Sequence, residues 1–117
     1  MDLCVTGGYV FVGDSGKVVE KDIGVRDGRV EEIGDLDPSG AERELDASDS
    51  LVLPGLVNAH THASMTLLRG YADDLPLEEW LRDRIWPVEA HLEPDDIYAG
   101  ARLAALEMIK TGTTAFA

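Results

Sequence analysis

Leu53-Pro54-Gly55-Leu56-Val57-Asn58-Ala59-His60-Thr61-His62 is the stretch on which the fold turns. Pro54-Gly55 closes one short apolar run, Leu51-Val52-Leu53, and Leu56 to Ala59 opens another. An apolar run of this length, bounded by Pro and Gly, reads as a buried strand. It ends in His60-Thr61-His62. Side chains at i and i+2 of a strand point the same way, so both imidazoles can reach one metal ion. A strand end opening into a loop is also where α/β folds place their sites. The spacing alone is met equally well by two partly exposed histidines.

Downstream the apolar period becomes helical. Pro76 suits a first helical position, and Glu78 and Glu79 suit the positive end of the helix. Leu77, Trp80, Leu81 and Ile85 share one face, and Pro87 is expected to stop this helix. Pro94 starts a second helix with Asp95 and Asp96 in its first turn. Its charged residues gather on one side, a broad Ala/Leu/Ile/Met face remains to pack, and Gly112 is placed to end it. Thr113 to Ala117 reads as another buried strand. Strand, helix, strand is a βαβ unit of a parallel sheet. Two parallel strands cannot cover both faces of such a sheet, and a (β/α)8 barrel needs about 250 residues. The region from residue 56 onward is therefore expected to begin something larger.

Upstream, residues 1–55 have the texture of short strands and turns. Leu3 to Thr6 and Tyr9 to Val12 flank Gly7-Gly8, read as a turn. Lys17 to Val25 is rich in β-branched residues, and Asp27-Gly28 is a strong hairpin signal leading into Arg29 to Ile33. A further short strand is expected near Glu44 to Asp46. Strands without helices indicate a small β-sandwich, or part of one.

Charge narrows the partners. The 117 residues carry 23 Asp and Glu against 10 Lys and Arg, a net charge of −13. So acidic a surface repels nucleic acid and anionic membranes. It is also what a protein working in high salt would show, since screening relieves self-repulsion. There is one cysteine, Cys4, so no internal disulfide forms, and neither a secretory leader nor a membrane-span-length apolar run is seen. A soluble, cytoplasmic protein is expected.

The stretch Leu53 to His62 resembles the signature of the amidohydrolase superfamily, where a Pro-Gly turn leaves a β-sandwich and His-x-His ends barrel strand 1. The resemblance continues through His62-Ala63-Ser64-Met65-Thr66-Leu67-Leu68-Arg69-Gly70-Tyr71-Ala72-Asp73-Asp74-Leu75-Pro76-Leu77. That run, with Glu79-Trp80-Leu81, Ile85-Trp86-Pro87-Val88-Glu89 and Glu107-Met108-Ile109-Lys110-Thr111-Gly112-Thr113-Thr114, is similar to the 5-methylthioadenosine/S-adenosylhomocysteine deaminases. The Asp27-Gly28-Arg29-Val30 hairpin resembles the family's front sandwich. One departure is Ala115, where the family usually has a third Thr.

The resemblance implies an α/β fold: residues 1–55 as a β-sandwich portion, then residues 56–117 as the start of a metal-dependent (β/α)8 barrel, incomplete as a fragment. It implies His60 and His62 as ligands of one divalent metal ion, zinc by preference. Glu89 then grips the ribose hydroxyls and Trp80 lines the substrate pocket. The remaining ligands and the acid/base residues are expected downstream, with none of the latter in this stretch. The implied activity is hydrolytic deamination of adenine nucleosides to inosine analogues and ammonia. The implied partner is a small-molecule nucleoside, with no nucleic acid or membrane, and with room for a homo-oligomer of the full-length enzyme. Alternatives are a triazine-type chlorohydrolase, a guanine or cytosine deaminase, or a non-catalytic fragment. By position alone Glu89 is a solvated surface acid, and Trp80 is equally a core residue of its helix. Arg69 and Asp73-Asp74 read as loop residues, with a substrate-side role left open.

Overall fold

The computed structural model describes residues 1–117, which form two compact units, Met1–Pro54 and Gly55–Ala117. The first is a mixed five-stranded sheet. Strands β1 (Leu3–Val12), β2 (Lys17–Arg26) and β3 (Arg29–Gly34) form an antiparallel meander, and β4 (Arg43–Asp46) and β5 (Leu51–Val52) both pair β1 in parallel. The β2–β3 hairpin turns on Asp27 and Gly28, both left-handed at φ 52° and 70°, as a tight primed turn requires. Cys4, Val10, Ile23 and Ala47 are its buried apolar residues.

Gly7-Gly8 is not a turn. β1 runs through it, with a shift of register against β2 between Val5 and Gly8. Gly7 sits at φ 70°, and its N–H leaves the ladder to donate to Asp22 Oδ1 at 2.9 Å. The irregularity lies where the other edge of β1 changes partner, from β4 at Leu3 to Thr6 to β5 at Tyr9 and Val10. A bulge absorbs that exchange without ending the strand.

The second unit is the expected βαβ arrangement. β6 (Leu56–Asn58) and β7 (Thr113–Phe116) pair in parallel, with a slip that leaves Thr114 unpaired. Gly55 has a packing reason: a Cβ there would overlap the Thr114 side chain. Between the strands come a 3-10 helix, Ala63–Leu68, and then a helical run of three parts. These are α1 (Leu77–Trp80), a π turn (Leu81–Ile85) and α2 (Trp86–Glu89). The last helix is α3 (Pro94–Lys110).

Pro87 does not stop the run. In the wide π turn the Trp86 N–H reaches back five residues to the Leu81 carbonyl. The disturbed α ladder accommodates a proline ring that has no N–H to give. Helix continues to Glu89. α3 begins with Pro94 at its first position, and the Asp96 carboxylate accepts from the Glu93 N–H at 2.9 Å. β7, expected to be buried, is largely exposed because β6 is its only neighbour.

Candidate functional site

The site is assembled at the carboxyl end of β6. The strand stops at Asn58, so His60 and His62 lie just beyond it rather than within it. Ala59 and His60 form a bend, and two hydrogen bonds hold it. The Asn58 Oδ1 accepts from the His60 N–H at 3.2 Å, and the Thr61 N–H donates to the Ala117 carbonyl at 3.1 Å. Thr61 is thus tied to the end of the neighbouring strand, while the imidazoles on either side of it come together. The imidazole centroids stand 5.2 Å apart at 67°. Asn58 was missed as a site residue. Its signal was available, since Asn commonly bonds the backbone two residues on.

His62 leads into the 3-10 helix and lines a cleft of about 570 Å³. Met65, Leu68, Leu77 and Leu81 supply its apolar wall, with Trp80 among them. The Trp80 indole N–H is committed to the Tyr71 carbonyl at 2.8 Å, so the ring has only its faces and edges to offer a ligand. Arg69 and Asp73 also line the cleft. Arg69 is engaged: its Nη2 donates to Glu107 Oε2 at 2.6 Å. That bond holds the Arg69 guanidinium above its ordinary pKa and the Glu107 carboxyl below its own. The cleft therefore presents one free carboxylate, Asp73, and no free guanidinium.

Of the residues singled out in the sequence, His60 and His62 come together, and His62 and Trp80 share the cleft. Glu89 does not line it. Glu89 is the half-buried last residue of α2, and its carboxylate enters none of the ion pairs. His91, whose Nδ1 lies 2.7 Å from the Pro87 carbonyl, closes the same helical run. No group of three or more His, Cys, Asp or Glu side chains is placed to hold a metal ion.

A histidine pair beyond the carboxyl end of the first of two parallel strands, in a unit that follows a strand-built one along the sequence, defines an α/β protein. Residues 51–117 match the amidohydrolase family, and the chain belongs to it.

The relatives agree. The chain is 49% identical to a 5′-deoxyadenosine deaminase of Methanosarcina acetivorans, over 99% of this chain and 27% of that protein. It is 50% identical to a 5-methylthioadenosine/S-adenosylhomocysteine deaminase of Haloquadratum walsbyi, over 98% of this chain and 28% of that protein. The chain thus spans about a quarter of the length of the relatives it matches. Among solved structures, a zinc-bound adenosine deaminase from Xanthomonas campestris superimposes with TM-score 0.90 at 40% identity, covering 98% of this chain and 28% of that one. A zinc-complexed atrazine chlorohydrolase from Arthrobacter aurescens, 24% identical, shares the fold with TM-score 0.83, over 97% of this chain and 28% of that one.

Proposed function

We propose that the whole protein hydrolytically deaminates adenine nucleosides of the 5′-deoxyadenosine, 5′-methylthioadenosine or S-adenosylhomocysteine type, releasing ammonia and an inosine analogue. The observation that carries the reading is the pairing of His60 with His62, which lines an apolar cleft that also contains Trp80. The names of relatives near 50% identity support the substrate class.

The residues present suit half of a metal site. The backbone N–H groups of His60 and Thr61 are held by the Asn58 side chain and the Ala117 carbonyl, the two imidazoles stand 5.2 Å apart, and neutral imidazole is a standard ligand for zinc. His60 and His62 would hold a divalent ion, zinc by preference, with further protein ligands drawn from elsewhere in the whole protein. When bound, such an ion supplies Lewis acidity, bringing the pKa of water towards about 7. The chain's own residues bind and orient. The purine lies against Trp80 and the Met65–Leu77 wall, which keeps bulk water from that side. Glu89, an acceptor-only carboxylate, takes both hydroxyls of the ribose diol. Its half-burial without an ion pair, at the helix end where a negative charge is disfavoured, supports a ligand role over a solvated one.

The chain has no helix long and apolar enough to cross a membrane. Its one thiol, Cys4, is free and buried. A cytoplasmic enzyme acting on a small molecule fits both.

The experiment measures, for the purified, zinc-loaded whole protein, ammonia release from adenosine, 5′-deoxyadenosine, 5′-methylthioadenosine, guanine and cytosine, and chloride release from a chlorotriazine. Turnover of the three nucleosides well above the others is the expected result. A preference for a free base or a triazine would move the protein to another branch of the family. His60→Ala and His62→Ala should each lower zinc stoichiometry and turnover together.

A further inference from the structure

Helix α3 carries a glycine in its middle, a poor helix former at a position where nothing in the helix itself asks for one. The explanation lies outside the helix. Gly100 and Ala104, one turn apart, are the buried residues of α3. A Cβ built on Gly100 would overlap the carbonyl oxygen of Ser64 and stand 3.1 Å from its carbonyl carbon and 3.3 Å from its Cα. All three are backbone atoms, so no change of rotamer relieves the clash and the 3-10 helix itself would have to move. Ser64 lies two residues after His62.

Two more contacts hold the same stretch. Glu107, seven residues and about two turns along α3 from Gly100, grips Arg69 just past the end of the 3-10 helix. Ala117, the residue just past β7, accepts the Thr61 N–H. Residues 61, 64 and 69 are thus each fixed to one continuous stretch, α3 through Ala117, and His62 falls between the first two anchors.

We propose that Gly100 and Glu107 are positioning residues for the metal site. The missing side chain of Gly100 sets how closely the 3-10 helix seats on α3, and the Glu107–Arg69 pair fixes its far end. Together they set the direction in which His62 presents its imidazole. The proposal rests on the reading of His60 and His62 as metal ligands. It predicts that α3 affects metal binding without contributing a ligand.

The test measures zinc affinity by chelator competition on the whole protein, beside its unfolding midpoint, for Gly100→Ala, Glu107→Gln and Ala99→Gly. Ala99 is exposed on the same helix, and glycine there weakens the helix without touching Ser64. Gly100→Ala should keep the helical content of the wild type and lose roughly 10-fold or more in zinc affinity, as is usual when support behind a ligand is lost. Saturating zinc should restore most of its kcat. Glu107→Gln should show a smaller loss at an unchanged midpoint, and it decides the matter should Gly100→Ala not fold. Ala99→Gly should lower the midpoint and bind zinc as the wild type does. Wild-type affinity in both Gly100→Ala and Glu107→Gln would overturn the proposal. So would a zinc loss in Ala99→Gly that tracks its lost stability. If His60→Ala and His62→Ala kept their zinc, the metal reading itself would fall. If they lost it while the α3 variants did not, only this inference would.

Discussion

At the residue scale, the proposed ribose contact of Glu89 is open to direct test. A carboxylate at the end of a helix meets the negative end of its dipole, which costs a few tenths of a kcal/mol, and half-burial without a partner adds to that. A vicinal diol would offset both with two hydrogen bonds to a charged group, about 3 kcal/mol together. Glu89→Ala should therefore reduce kcat/KM on 5′-methylthioadenosine by about 100-fold, and much less on free adenine, which offers it no hydroxyls. Steady-state kinetics on the two substrates decide this, and equal losses would make Glu89 a structural residue. The residue scale is also where the sequence was most legible. His60-Thr61-His62 announces its chemistry through type and spacing. What it could not announce was that the Thr61 N–H between them is taken by the Ala117 carbonyl, from more than fifty positions away.

Elements were legible where local chemistry decides them. Asp27-Gly28 produced its hairpin and Pro94 to Gly112 its helix because turn and cap preferences act over a few residues. Gly7-Gly8 and Pro87 were misread for the opposite reason. A glycine pair suits a turn or a bulge equally, and only the exchange of β4 for β5 along β1 selects the bulge. A proline stops an α-helix but is tolerated after a π turn, which no short-range pattern signals. The bulge carries a prediction. Asp22 accepts from the Leu36 N–H at 3.0 Å and the Gly7 N–H at 2.9 Å, and these bonds, that of Leu36 first, hold its carboxyl below the usual aspartate pKa. Because the folded value is the lower one, this stabilisation is complete above about pH 4 and is lost as pH falls through the folded pKa. Asp22→Asn can satisfy only one of the two donors and should cost about 1–3 kcal/mol at pH 7. Urea unfolding of both proteins from pH 7 to pH 2.5 should show the gap between them closing at the acid end. A gap independent of pH would mean that the carboxylate charge is not what the bulge uses.

For the molecule as a whole, surface area is the telling quantity. Two separate compact bodies sharing 12.7 kDa would expose about 7,500 Å² in total, whereas this chain exposes 8,616 Å². Large apolar side chains of the βαβ unit contribute to the exposed area: Val57 is 72% exposed, Ile109 70% and Leu106 57%. β6 and β7 form a two-stranded parallel sheet, an arrangement normally covered on both faces. Against the association this invites stands a net charge of −13, which keeps copies apart where the Debye length is long. The 117 residues by themselves should therefore stay dispersed at about 10 mM salt and associate at about 1 M, where screening shortens the repulsion to about 3 Å. They should also retain no zinc through gel filtration and release no ammonia from adenosine, since two imidazoles fall short of the three protein ligands a catalytic zinc site uses. Light scattering across the salt series, calorimetry, and an ammonia assay with added zinc test all of this on one preparation. A monomer at both salt concentrations, melting in one cooperative transition and deaminating adenosine only when zinc is present, would show that this quarter of the relatives' length is an enzyme in its own right.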